Sequence, residues 1–312
     1  MDERNAKKYK MNLEDLKIFS KKIKGKLEFD FPIKNLNWFN IGGNSKLFFR
    51  PDTLSELIEF LKIYDNRGKI FVLGAGSNIL FSDNLFNGVV IKLSKNFQRL
   101  TLLNKNTIVA GSGVLDKKLS EFAEQNNLSG FEFLSCIPGT VGGGVRMNSG
   151  CFDNEFKDIL ISLQALDFLG NIITIPVKKI KFSYRTTDLP NNLIFLSATL
   201  QGNIQDNTSI IKLMNEMKKK KNTSQPSKIK TGGSTFKNPK EQTNKKVWEL
   251  IQENIKLDIK YGDASISKKH CNFFVNENKA KFDDMKKLIN HVKNEVKNRT
   301  GIEIETEVII VE

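Results

Sequence analysis

Leu54, Leu57, Ile58 and Leu61 recur at three- and four-residue spacing after Pro51, with Asp52 or Thr53 placed to cap, and this predicts a helix. Leu115, Leu119, Phe122 and Ala123 repeat the pattern, with Gly130 as the expected stop. Phe282, Met285, Leu288, Val292 and Val296 predict a third helix ending at Gly301, and a shorter one is expected over 244–256 with Val247, Leu250 and Ile251 inward. Between them lie runs of strand character: KIFVL (69–73), GVVIKL (88–93), NTIVAG (106–111), ILISLQALDF (159–168), NIITIPV (171–177) and LIFLSATL (193–200). DFLGNI reads as a hairpin turn. GIEIETEVIIVE (301–312) reads as a closing strand with Glu303, Glu305 and Glu307 on one face. Beyond Glu307 that face becomes apolar at Ile309 and Val311, so Glu307 is the glutamate expected to be drawn inward. Helices mixed with antiparallel hairpins indicate an α+β fold rather than a doubly wound sheet.

A chain of 312 residues is long enough for two domains. The pattern changes at NIQDNTS (203–209), after which residues 210–246 are rich in lysine. The reading is a lead-in over 1–30, a glycine-rich domain over 31–205 and a smaller domain over 206–312. The net charge of +14 admits nucleic acid, a membrane surface or an anionic small substrate as partner. Lysine, asparagine and isoleucine are plentiful and arginine is scarce, which fits a codon bias. Lys218 to Lys221, the densest basic run, has no aromatic beside it, unlike sequences that read nucleic acid, so no nucleic-acid partner is expected. The N-terminus is charged and lacks a signal-type apolar core, and no apolar run of ~20 residues occurs, so a cytoplasmic chain without membrane spans is expected. The three cysteines form no CxxC pair, and His270 and His291 show no ligand spacing, so no metal is expected.

The chemistry is carried by glycine clusters: NIGGNS (40–45), LGAGSNIL (73–80), AGSG (110–113) and FLSCIPGTVGGGVRMNSG (133–150). Glycine lets backbone N–H groups approach a phosphate, and several such turns at strand ends can cradle one diphosphate. GAGSNI fails the Rossmann pattern because Ile79 stands where the third glycine belongs. Neither GxxxxGK[ST] nor GxSxG occurs, which excludes a P-loop NTPase and argues against an α/β-hydrolase. Three further regions stand out. SQPSKIKTGGSTFKNP (224–239) offers Ser234, whose hydroxyl can move a proton, beside Lys237 and Asn238. FSYRTTDL (182–189) offers Arg185 as a fork for a carboxylate. The third is the glutamate face of the closing strand. Each has a plainer reading as turn, surface cation or exposed strand.

Together, LGAGSNIL, GFEFLSCIPGTVGGGVRMNSG, FSYR, GGSTFKNP, SISKKHCNFFVN and ETEV, in this order, resemble the UDP-N-acetylenolpyruvoylglucosamine reductase (UDP-N-acetylmuramate dehydrogenase) family over nearly the whole chain. The resemblance implies an α+β, vanillyl-alcohol-oxidase-like (PCMH-type) FAD-binding fold followed by a smaller substrate domain. It implies non-covalent FAD, NADPH as reductant, a ping-pong course and a role in cytoplasmic peptidoglycan precursor synthesis, by a monomer. The implied cofactor contacts are Ile41, Gly42, Gly43, Leu73, Gly74, Ala75, Gly76, Ser77, Asn78, Gly113, Pro138, Gly139, Thr140, Gly142, Gly143, Asn148 and Gly150. By the same resemblance Ser234 is the proton donor, and Arg185 and Glu307 stabilise the enolate. Tyr184, Lys221, Lys237, Asn238, His270 and Asn272 are the implied substrate contacts. Pro138 is expected to fix the entry to its turn, and Gly139, Gly142 and Gly143 to clear side chains from the cofactor's path. Gly144 receives no role, and Cys136 reads as a small packed residue. The chain departs from the family at Gly144 and Gly233, where alanine is frequent, at Asn40, where a cation is frequent, and at Ser265, where glutamine is common. No tyrosine lies between Arg185 and Ser234, which points to the lidless subtype. A flavin-dependent sugar or alcohol oxidase of the same fold is the alternative, with Cys136 or Cys151 as a conceivable flavin tether.

Overall fold

The computed structural model describes residues 13–65 and 67–312, so the charged N-terminus and the first part of the expected lead-in, up to residue 12, lie outside the described residues. The chain forms two compact units. One contains the chain up to Phe31, Ser45–Ala75 and Asn87–Lys218; the other contains Pro32–Asn44, Gly76–Phe86 and Lys219–Glu312. Two short N-terminal segments therefore cluster with the C-terminal residues.

The first unit holds two larger sheets. A four-stranded sheet runs in the order Lys26–Pro32, Asn44–Arg50, Phe86–Ile91, Lys69–Val72, the last pair parallel. Helices α1 (Leu13–Ser20) and α2 (Leu54–Tyr64) belong to its core, where Phe19, Phe49 and Phe60 meet ring on ring. Thr53 caps α2, accepting from the Glu56 amide, as the sequence allowed. The second sheet is five-stranded and antiparallel, in the order Ile172–Pro176, Leu160–Asp167, Leu193–Gln201, Thr107–Gly111, Leu100–Asn104. DFLGNI is the turn between its first two strands. Helix α3 (Asp116–Gln125) follows, but it ends at Asn126 rather than at Gly130, because Asn127 takes the left-handed conformation before the glycine is reached.

The glycine stretch 133–150 folds as a 3₁₀ turn, Glu132–Cys136, then a short helix α4 (Val141–Arg146) capped by the Thr140 hydroxyl. A helix absent from the sequence reading, α5 (Asn207–Ser224), forms the first part of the lysine-rich segment. Its inward residues Ile210, Met214 and Met217 keep a helical spacing that the surrounding lysines obscure.

In the second unit a four-stranded antiparallel sheet, in the order Thr231–Ser234, Phe273–Asn276, Ala264–Ile266, Lys260–Tyr261, shares a core with α6 (Val247–Asn254) and α7 (Phe282–Thr300). α7 ends at Gly301 in the left-handed conformation, as expected. The closing strand is shorter than predicted: Ile309–Val311 pair in parallel with Ile79–Phe81, and before them Thr306 forms an isolated bridge to Phe236. Residues 301–305 form no strand; Glu303 and Glu305 are exposed there and pair with Lys297 and Lys237. Among the described residues no helix is long and apolar enough to cross a membrane.

Candidate active site

In the first unit three glycine clusters meet. The Val141 and Gly142 amides donate to the carbonyls of Val114 and Ser112 at 2.9 Å, and Leu115 bridges to Thr140, so residues 112–115 run beside 139–142. The turn at Leu73–Ala75 joins them: a side chain on Gly74 would strike the Thr140 hydroxyl at 2.5 Å. Lys92, at the end of its strand, donates from Nζ to the Gly74 carbonyl at 2.6 Å. Burial, and after it the Arg50 charge, hold the Lys92 amine below the ordinary lysine range. Sequence reasoning passed over Lys92; its signal was a cation one residue past a buried strand that flanks a glycine turn.

Pro138 and Gly143 are exposed and Gly139 and Gly142 half-buried, so bare backbone faces outward around the start of α4. The reasons for the glycines differ from those expected. A side chain on Gly142 would meet Ser112, and one on Gly139 the Asp116 carboxyl, so both serve internal packing. Gly143 alone of the three meets nothing closer than the Thr140 hydroxyl at 3.5 Å. Gly144, which the sequence left without a role, is pressed against the Phe156 ring. Asp116 is wholly buried, and neither carboxyl oxygen has a hydrogen-bond partner. Burial pushes its carboxyl well above the usual range, which favours the neutral form and lessens the negative charge beside the turns. Outward-facing backbone, a nearby half-buried lysine and an acid whose burial favours its neutral form fit an anionic dinucleotide such as FAD. Cys136 is buried, and Cys151 is half-buried with its thiol on the Phe133 carbonyl.

Arg185 lies in the same unit. Phe182–Ser183 pair with Thr186–Thr187, leaving Tyr184 and Arg185 as the loop of a tight hairpin. Arg185 has a φ of 58°, its Nη2 donates to the Gly150 carbonyl at 2.7 Å, and its guanidinium lies 4.9 Å from the centre of the Tyr184 ring. Asn148, expected at the cofactor, is fully buried and engaged within the protein. Its amide donates to Glu155 and the Ser183 carbonyl, and its oxygen accepts from the Lys157 amide.

In the second unit Ser234 ends the strand Thr231–Ser234 and pairs with Phe273, across an irregularity at the two glycines. Gly232 lies against the Phe39 ring, and Gly233 has a φ of 79°, a conformation that alanine adopts only with strain. Ser234 is half-buried. The next residues run beside the end of the chain: the Glu307 amide donates to the Thr235 carbonyl at 2.8 Å, Phe236 bridges to Thr306, and the Lys237 amide donates to the Glu305 carbonyl at 2.9 Å. Ser234 and Glu307 are thereby brought together through backbone pairing. Glu307 is half-buried whereas Glu303 and Glu305 are exposed, in line with its expected inward placement.

Other expected contacts are occupied by the fold. Asn78 donates from its side chain to the Glu307 carbonyl at 3.0 Å. Asn272, buried, accepts from the Phe236 amide and donates to the Phe236 carbonyl, fixing the backbone next to Ser234. Asn238 accepts from the first amide of α6, and Lys237 pairs with Glu305 at 3.3 Å. His270 accepts from the Asn272 amide and packs on Phe273, and burial pushes its imidazole below its ordinary value, so it is neutral at pH 7. Lys221 lies on α5, and Ser77 is half-buried. Ile41, Gly42, Gly43 and Gly76 pack in the second unit, where side chains on Gly43 and Gly76 would strike the Asp83 and Leu36 carbonyls. Gly113 is half-buried, with its amide on the Phe97 carbonyl, and Gly150 is buried.

The first unit's turns define a class, an FAD-dependent oxidoreductase, and residues 45–176 match the family model of an FAD binding domain. Residues 225–311 match the model of the UDP-N-acetylenolpyruvoylglucosamine reductase C-terminal domain. The UDP-N-acetylenolpyruvoylglucosamine reductase of Pelagibacter ubique is 55% identical over 300 residues, covering 96% of this chain and 99% of its own. That of Rickettsia typhi is 42% identical over 286 residues, covering 92% and 96%. The crystal structure of the Thermus caldophilus enzyme matches with a TM-score of 0.80 at 28% identity, covering 93% of this chain and all of that one. The chain belongs to the UDP-N-acetylenolpyruvoylglucosamine reductase family. The resemblance read from the motifs and the expected α+β, FAD-binding fold class are both borne out.

Proposed function

We propose that this chain reduces UDP-N-acetylenolpyruvoylglucosamine to UDP-N-acetylmuramate with NADPH as electron source, serving peptidoglycan precursor synthesis in the cytoplasm as a monomer. Residues 31–205 hold FAD and residues 206–312 the UDP-sugar. The observations that carry the reading are the three glycine turns of the first unit and, in the second, the backbone pairing of Thr235 and Phe236, which follow Ser234, with Glu307 and Thr306. FAD, held by the glycine turns around 73–75, 112–115 and 138–143, would supply the hydride chemistry for the enol ether.

The remaining chemistry belongs to the protein. Hydride addition beside a carboxylate builds enolate charge, which needs a cation and a held carboxyl group to stabilise it. Arg185 and Glu307 take those roles. The Ser234 hydroxyl gives its proton to the α-carbon; a serine is a weak acid, but the enolate carbon is a strong base and the donor is held in place by the sheet. Purified protein is expected to be yellow with flavin absorbance, which colourless protein that refuses FAD would contradict. Ser234→Ala is expected to keep flavin reduction by NADPH and to lose on the order of a hundredfold or more in turnover of the enolpyruvyl substrate. Unchanged turnover would remove its assigned role.

A further inference from the structure

Arg146 ends α4 and belongs to none of the motif contacts. Its guanidinium donates to the carbonyls of Leu189 at 2.8 Å, Pro190 at 2.9 Å and Leu193 at 3.3 Å, and lies 4.3 Å from the centre of the Phe195 ring. Burial brings its pKa down to about 10, so it stays charged at neutral pH. Carbonyls and a ring face, rather than a carboxylate, meet that charge. A half-buried cation still costs some desolvation that an apolar residue of similar size would avoid, and its three carbonyl partners mark a specific role beyond packing.

The chain that Arg146 grips is the continuation of the Arg185 hairpin. The same α4 end grips the hairpin itself: Thr187 donates from its hydroxyl to the Arg146 carbonyl at 3.2 Å. Asn148 donates to the Ser183 carbonyl at 3.2 Å and Arg185 to the Gly150 carbonyl at 2.7 Å. Arg185 sits in the left-handed region, a conformation that non-glycine residues keep only where the surroundings over-determine it.

We propose that Arg146 is a positioning residue for Arg185: its fork on the 189–193 carbonyls fixes the hairpin arm that presents the Arg185 guanidinium. Arg146 touches neither cofactor nor substrate and acts through the hairpin. The proposal rests on the role assigned above to Arg185.

The test uses the FAD-loaded enzyme and measures the two half-reactions by stopped flow: flavin reduction by NADPH, and flavin reoxidation by UDP-N-acetylenolpyruvoylglucosamine. Arg146→Met keeps an apolar stem over Phe195 and removes the fork. FAD affinity, melting temperature and flavin reduction are expected within about threefold or a few degrees of the parent, while reoxidation falls roughly ten- to a hundredfold, as for a misplaced catalytic group. In an Arg185→Lys background the same change is expected to add less than about threefold, because a displaced hairpin then has little left to lose. Equal slowing of both half-reactions, no slowing of either, or the full effect persisting beside Arg185→Lys overturns the proposal. Should Arg146→Met not fold, Arg146→Lys, which keeps the charge but loses the fork, is read by the same criteria. Arg185→Lys alone separates the two levels: normal reoxidation sinks the role of Arg185, whereas slow reoxidation with a normal Arg146→Met sinks only the positioning.

Discussion

At the residue scale, the division of labour between Ser234 and Glu307 predicts different losses. Glu307→Gln is expected to slow the substrate half-reaction while leaving FAD affinity and flavin reduction unchanged; a loss of flavin instead would move Glu307 from the reaction to the fold. Asp116 makes a prediction of another kind. Its folded pKa lies above the unfolded value of about 3.9, so the unfolded chain gives up this proton first and stability falls as pH rises past that value. Asp116→Asn is expected to raise the melting temperature, by more at pH 8 than at pH 4, and an equal shift at both would contradict the buried neutral acid. Ser234, Arg185 and Glu307 are singled out in the sequence because the motifs around them are local. The roles of the asparagines are not legible there: Asn78, Asn148 and Asn272 stand within motifs, yet their amides tie backbone to backbone, and only the partners far along the chain reveal it. Asp116 reads as an ordinary polar helix start before Lys117 and Lys118, and its burial depends on Gly139, brought alongside by the fold.

At the scale of elements, Gly144 separates packing from function. In this chain the Phe156 ring fills the space that a methyl group would need. Gly144→Ala is expected to cost about 1–3 kcal/mol in urea unfolding, and Phe156→Leu in the same chain to recover part of it. Strict additivity of the two changes would contradict the contact. Helices with clean apolar stripes were read to within a turn, as α2 and α7 show. The helix α5 escaped because its inward residues are spread among lysines, and the closing strand was overextended because alternation of isoleucine and glutamate imitates pairing that residues 301–305 do not make.

At the scale of the whole molecule, the two units draw residues from interleaved parts of the chain, so the segments 32–44 and 76–86 lie with residues more than a hundred positions away in sequence. A pass along the chain reads neighbours and so favours a single cut; the pairing of Ile79–Phe81 with Ile309–Val311 is visible only once folded. The net charge of +14 suits an anionic nucleotide-sugar without specifying one. The central claim is therefore best tested on the reaction itself, by following NADPH oxidation by the FAD-loaded protein with and without UDP-N-acetylenolpyruvoylglucosamine. Sustained oxidation that depends on the enolpyruvyl sugar and yields UDP-N-acetylmuramate is the predicted result. Oxidation at the same rate without the sugar, or none with it, would contradict the account.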